Sequence, residues 1–319
     1  MTKRLKTALM IQARSMERAL LKSGFIGAGT VGSNLALRLT AKGYPVVAVS
    51  SRSHIPAEKL AKAIPGCRAV NNQTVAEKAD LVFITTPDDI IGHIAAEVKW
   101  HQGQNVVHCS GADSTAVLEP ARKSGSRIGT FHPLQTFTSD KGTPGNIAGT
   151  TFAIEAEEPL LTILKDMATA LDGRWIVLKA GDKVIYHAGA VMACNYLVTL
   201  VKIATDLWAT IGISPQEARL ALLPLLKGTI HNIETTPTLS WCLTGPIARG
   251  DAGTIKKHLD KLEEAAPELL SVYRELGRQT IPLALDKGRI TQRQAEEIKN
   301  ILEEPQGARK FIVGVKKGG

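Results

Sequence analysis

The segment Gly24-Phe25-Ile26-Gly27-Ala28-Gly29-Thr30-Val31-Gly32 constrains this chain more than any other. Its glycines are spaced GxGxxG between a short β-rich run and a helical stretch over 32–42. At such a junction each glycine has its own task. Gly27 permits a tight turn, Gly29 lets backbone approach a pyrophosphate, and Gly32 lets a helix pack closely on a strand. The helix that follows, with Thr30 and Val31 just before it as further cofactor-binding candidates, offers unpaired N–H groups and a positive dipole end to phosphates. The expectation is a βαβ unit that binds a dinucleotide.

The alternation continues along the chain. Strands are predicted over 24–27, 45–50, 67–70, 80–85, 105–109, 126–131, 151–154 and 174–178. Helices are predicted between them, among them 57–63, 90–98, 115–124 and 159–171. This order argues for the α/β class, with a doubly wound parallel sheet extended at its edge. Beyond Gly181 the strand signal stops. Residues 183–211 read as one long helix with almost no charge in its first half, predicted to be buried nearly all round. Further helices are predicted over 215–226, 251–265, 267–279 and 291–302. The expected organisation is a basic extension (1–22), a dinucleotide-binding domain (23–180), an all-helical domain for substrate and dimerisation (181–304) and a basic tail (305–319).

Charge sharpens this division. The 319 residues carry a formal net charge of +9. Six bases against one acid fall in 1–22, and four bases with no acid in 305–319, so residues 23–304 are neutral overall. A groove that binds nucleic acid would put its basicity on the folded body, and none is expected as a partner. The extension lacks the apolar centre, cleavage site or Arg/Ser bias of a targeting peptide. Four scattered cysteines without a CxxC pair read as free thiols, hence a cytoplasmic protein. The longest uncharged apolar stretch, 188–201, falls short of a membrane span. No metal-ligand spacing is visible.

The cofactor can be read from the second strand. A fold that prefers NAD places Asp or Glu at its end to hold the ribose hydroxyls, whereas here the strand ends in Ser51-Arg52-Ser53. A planar cation and two hydroxyls suit a 2′-phosphate, so NADP is expected, the alternative being a solvated loop cation at Arg52. Ligands in open α/β sheets bind beyond the carboxyl ends of strands. That brings in Thr86, Pro87 and Asp88 after the fourth strand, and Ser110 after the fifth, as neighbours of the nicotinamide half. Asp88 reads equally as a helix N-cap, and Ser110 as a turn residue.

Together, Gly27–Gly32, Ser51-Arg52, Thr86-Pro87, His108-Cys109-Ser110-Gly111 and Phe131-His132-Pro133-Leu134-Gln135-Thr136-Phe137 resemble the Rossmann-like NADP oxidoreductases with a C-terminal helical domain of unknown function. Tyr186-His187-Ala188-Gly189-Ala190, Asn195-Tyr196 and Leu243-Thr244-Gly245-Pro246-Ile247-Ala248-Arg249-Gly250-Asp251 extend the resemblance over about 23–300. Families of similar layout are ketopantoate reductase, pyrroline-carboxylate reductase, the 6-phosphogluconate dehydrogenase group and the deazaflavin-dependent NADP reductases. The resemblance implies an N-terminal Rossmann domain, a C-terminal helical domain, NADP and reductase chemistry, without a substrate. Ketopantoate reductase-like enzymes carry a Lys and Asn residues one turn apart on the first helix of the second domain. Matching the last Asn to Asn195 puts Val191 at the middle position and His187 at that of the Lys.

His187 and Asn195 then share a helix face, eight residues apart. Reducing a C=O or C=N takes a hydride and a proton, and an imidazole can give the proton. His187 is the first candidate, His132 at its strand end the second, and Asn195 would orient the substrate; each histidine reads equally as a buried, hydrogen-bonded core residue. Arg249 offers a fork to a substrate carboxylate or an inter-domain ion pair, and Asp251 reads as a helix N-cap. The expected activity is hydride transfer between NADPH and a small, anionic carbonyl or imine compound, in a homodimer formed through the helical domain. The alternatives are a sensor that binds NADP without turnover and a protein docked by its tails on acidic membrane or RNA.

Overall fold

The computed structural model describes residues 18–137 and 149–303. Most of the basic extension and all of the basic tail lie outside the described residues. Eight strands form one sheet: β1 (Ser23–Ile26), β2 (Val46–Ser50), β3 (Arg68–Ala69), β4 (Leu81–Ile84), β5 (Asn105–His108), β6 (Arg127–Leu134), β7 (Thr151–Ala156) and β8 (Arg174–Val177). Their order is β3-β2-β1-β4-β5-β6-β7-β8. The first six are parallel neighbours, β7 runs antiparallel to β6, and β8 is parallel to β7. This is the doubly wound order, with two strands added at one edge.

Inside its edge strands β3 and β8, the latter exposed throughout, the sheet buries both faces because its strands are apolar on both. On one face Phe25, Phe83, Val107, Phe131, Phe152 and Ile154 pack against α1 (Thr30–Ala41), α2 (His54–Ala63) and α6 (Leu160–Ala170). Phe25 stacks on Phe83 with ring centroids 4.9 Å apart, and Phe131 on Phe152 at 4.4 Å. On the other face Ile26, Val82, Ile84 and Val106 pack against α3 (Asn72–Lys78), α4 (Asp88–Glu97) and α5 (Glu119–Lys123). With Val107 on the first face, the period of two in β5 puts His108 on the second. Strand alternation does the same for Thr130, His132, Ala153 and Glu155 in the paired β6 and β7.

The chain divides into two compact units after Asn195, not near residue 181. The cause lies in α7 (Lys183–Ala193), whose first turn packs into the sheet unit through Lys183 and Tyr186. The second unit is helical: α8 (Asn195–Ala209), α9 (Pro215–Thr235), α10 (Leu239–Cys242), α11 (Ala252–Ala265), α12 (Leu270–Asp286) and α13 (Gln292–Glu303). Its core joins Ile255, Leu259 and Leu262 of α11 to Ile281 of α12 and Ile298 and Ile301 of α13. Asp251 caps α11, its carboxylate accepting from the Thr254 N–H at 2.9 Å and the Thr254 hydroxyl at 2.7 Å.

Two expectations need correction. The helix over 183–211 is broken at Cys194, where α7 ends and Asn195 opens α8. It is also not buried all round: only Lys183 in α7 and Thr205 in α8 are buried. Val184, Ile185, Met192, Tyr196 and Val198 lie exposed. Counted across its break, 183–209 is long and apolar enough to cross a membrane by length and composition, which the shorter stretch 188–201 was not. An uncharged sequence predicts burial only if the partner surface belongs to the same chain.

Candidate active site

The glycine loop matches its three tasks. Gly27 has φ +116°, and a Cβ there would lie 2.7 Å from the Thr85 carbonyl. A Cβ on Gly32 would strike the Thr85 hydroxyl and the Gly27 carbonyl oxygen. At Gly29 no atom of the described residues beyond its chain neighbours lies within 4 Å of such a Cβ, so this side of the loop is open. Thr85 locks the loop, its hydroxyl donating to the Gly27 carbonyl at 2.8 Å. Helix α1 begins at Thr30 with no side-chain cap and no acid in its first turn. Its leading N–H groups and its positive end therefore face the open side, which suits a pyrophosphate.

Beyond β2, Ser51 is half-buried while Arg52 and Ser53 are exposed. Helix α2 starts after Ser53 with no side-chain capping bond and no acid in its first turn. Beyond β4, the Thr86 hydroxyl oxygen is buried without a hydrogen-bond partner, and Pro87 leads into α4. Asp88 is the first residue of α4 rather than its cap. Its carboxylate accepts from the Ser110 hydroxyl at 2.8 Å.

Ser110 does more than turn the chain. Its hydroxyl oxygen also accepts from the Asp113 N–H at 3.0 Å, and its carbonyl accepts from Lys183 Nζ at 2.6 Å. Its N–H donates to His108 Nδ1 at 3.2 Å. That bond makes Nδ1 the acceptor, so Nε2 carries the hydrogen toward the Ser114 carbonyl, 3.2 Å away. Burial and the neighbouring Lys183 charge push the His108 pKa down to about 4, so the ring is neutral at pH 7.

Lys183 is 1% exposed, and burial lowers its pKa; Cys109, Glu155, Asp113 and Asp88 act in the opposite sense. It lies one more turn back on the register of 187, 191 and 195. A signal was present: after Lys183 no Asp, Glu, Lys or Arg follows until Lys202.

His132 and His187 come together here. Their rings stand edge to face with centroids 6.1 Å apart. His132 Nδ1 and the Tyr186 hydroxyl share a hydrogen bond of 2.9 Å. Burial, then Lys183 and His187, lower the His132 pKa to about 4, and burial pushes the Tyr186 phenol up to about 12. Both groups are therefore neutral at pH 7. His187 Nδ1 is buried without a hydrogen-bond partner. Gly111 makes the cluster possible, since a Cβ there would collide with His187 Nδ1 and sit 3.0 Å from His132 Nε2.

The other two expected catalytic residues belong to other elements. Asn195 opens α8 on the far side of the break at Cys194, so a continuous helix face no longer links it to His187. Arg249 belongs to the second unit, exposed at the end of a 3-10 turn, Ile247–Arg249.

Residues 9–133 match the model of a Rossmann-like domain, and residues 150–280 that of a domain of unknown function (DUF2520). The chain pairs a Rossmann-like domain with a DUF2520 domain. Among solved structures, a protein from Thermotoga maritima is 26% identical with a TM-score of 0.68, covering 84% of this chain and 100% of its own. A provisionally assigned NADP oxidoreductase from Bacteroides fragilis is 25% identical with a TM-score of 0.64, covering 82% and 98%. Pyrroline carboxylate reductase from Plasmodium falciparum, solved with NADP bound, shares the fold at 16% identity and a TM-score of 0.54, covering 88% and 98%. No curated protein matches the chain.

Proposed function

We propose that this chain is an NADP-dependent oxidoreductase that moves a hydride between NADPH and a small carbonyl or imine compound. The observation that carries the reading is the pairing of an open, uncapped glycine loop with a second strand that ends in Ser51-Arg52-Ser53 and no carboxylate. The Bacteroides and Plasmodium neighbours, one assigned to NADP chemistry and the other holding NADP, support the same choice.

Gly27, Gly29 and Gly32, with the N–H groups of Thr30 and Val31, would hold the pyrophosphate. Ser51, Arg52 and Ser53 would hold the 2′-phosphate, and Thr86, Pro87 and Ser110 would border the nicotinamide. When bound, NADPH supplies the hydride. The chain's own residues then manage the proton and the charge. His187 is the proposed proton donor, because its Nδ1 has no competing partner. His132, neutral at pH 7, has no second ring proton to give; it positions Tyr186 and His187. Lys183, bonded to the Ser110 carbonyl, supplies positive charge behind the site, which favours negative charge developing on a substrate oxygen.

The working unit in this reading is a homodimer. Val184, Ile185 and Met192 on α7 and Tyr196 and Val198 on α8 are each more than half exposed, apolar surface of the kind that subunit interfaces cover. A membrane fits them less well. The helix over 183–209 is anchored at one end by buried Lys183, and exposed Leu220, Leu225 and Ile230 spread the apolar surface onto α9.

The test is titration of the purified protein with NADPH and NADH, followed by nicotinamide fluorescence. Preferential binding of NADPH, weakened at least tenfold by Arg52→Ala, supports the cofactor assignment. NADPH oxidation with a panel of 2-oxo acids and cyclic imines then tests turnover. Binding of neither nucleotide overturns the reading, and binding without turnover across the panel favours the sensor.

A further inference from the structure

A cleft of about 580 Å³ opens on the sheet unit, lined by the 3-10 turn Thr115–Leu118, helix α5, the β6–β7 edge and the segment after β8. That volume suits a small ligand. Four carboxylates, Glu119, Glu155, Glu157 and Glu158, line it against two guanidinium groups. Both cations are engaged: Arg122 grips Glu119 through Nε (2.7 Å) and Nη2 (2.9 Å), and Arg127 Nη1 donates to the Gly103 carbonyl at 3.0 Å. The formal charge of the lining is negative, and of its carboxylates Glu119 is held by Arg122 and Glu158 accepts from Thr162, which leaves Glu155 and Glu157.

Glu155 sets this cleft apart from a solvated acidic patch. It is 7% exposed, held on β7 by strand pairing, with Oε1 accepting from the Thr115 hydroxyl at 2.8 Å. Its other oxygen, Oε2, is buried without a hydrogen-bond partner. A buried carboxylate oxygen left unpaired is costly, and a charged donor satisfies it best. Among the described residues no three His, Cys, Asp or Glu side chains gather to hold a metal ion. The walls also carry apolar surface, from Ile128, Leu178 and Ala180.

We infer that this cleft binds a small organic cation, a primary ammonium group on a short aliphatic body, with the ammonium at Glu155. The alkyl part lies against Ile128 and Leu178, and Glu157 on the rim adds long-range attraction. The site is separate from the glycine loop and does not depend on the proposed hydride chemistry. It does have a route to the catalytic cluster, since the Glu155 carboxylate favours the charged form of Lys183. A cation at Glu155 offsets that field, so occupancy reaches Lys183 electrostatically.

The experiment is calorimetric titration of the full chain with 1,4-diaminobutane and n-butylamine, with glutarate as an anion of similar size. Saturable binding of the amines, weakened at least tenfold by Glu155→Gln, and no binding of glutarate is the expected result. Glu157→Lys, an exposed rim change that leaves the strand intact, should weaken amine binding several-fold and serves if Glu155→Gln fails to fold. Binding of glutarate instead of the amines overturns the inference. So does binding of neither, or amine binding that both substitutions leave unchanged. NADPH titration of the same samples separates failure here from failure of the oxidoreductase reading.

Discussion

The first turn of α7 and the helix surface that follows it invert the usual order of burial. Lys183 is 1% exposed, while Val184 and Ile185 beside it are 68% and 76% exposed. A lysine is buried in the sheet unit at a cost in solvation, and two aliphatic residues face outward at a cost in water contact. Each departure marks a different requirement. The buried charge serves the cluster at the end of β5, where Ser110, Asp88 and the histidines meet. The exposed aliphatics are what the proposed homodimer would cover.

The sharpest way to break this contrast is to charge the apolar side of it. If the proposed homodimer forms, Ile185→Asp combined with Val198→Asp should convert it to monomer, read as a halved mass by sedimentation, with NADPH binding retained. A wild-type monomer at micromolar concentration would remove the assembly half of the contrast. The polar side is tested by Lys183→Met, which keeps length and removes charge. We expect NADPH oxidation to fall about 100-fold or more. The melting temperature should stay within about 5 °C, since the lost bond to Ser110 is offset by relief of a buried charge.

Smaller effects refine the geometry around the buried lysine. Gly111→Ala forces a methyl against His187 and His132, and should cost about 1–3 kcal/mol in urea unfolding while leaving NADPH affinity unchanged. A pH dependence tests the same cluster. His108 and His132 titrate near 4 in the folded chain, against an ordinary value of 6.5. Between those values the unfolded chain binds more protons, so stability is full above pH 6.5 and declines as pH falls toward 4. Urea melts at pH 7.5, 6 and 5 should show that decline, and His132→Gln should flatten part of it.

The sheet was legible because its information is local. All eight strands and the glycine turn follow from short apolar runs, punctuating glycines and the spacing of Gly27, Gly29 and Gly32. Gly27 and Gly32 illustrate this, since a Cβ at either would meet the Thr85 backbone or hydroxyl. The site was legible only in pieces. His132 and His187 were visible as candidates, but nothing in their spacing of 55 residues reports rings 6.1 Å apart. Lys183 was overlooked because a lysine at a helix start normally faces water, and only the position of the Ser110 carbonyl draws it inward. Asp88 looked like a cap until helix α4 began one residue earlier and freed its carboxylate for Ser110.

The sequence by itself determined the strand and helix order, the cradle for a dinucleotide and the missing acid after the second strand. These depend on neighbours within a few residues, where backbone geometry and side-chain size decide. Tertiary structure alone decided which residues meet beyond β5, the neutral state of His108 and His132, and the outward face of an uncharged helix. Burial and charge act through space, and the environment that shifts a pKa or exposes a leucine comes from segments far apart along the chain.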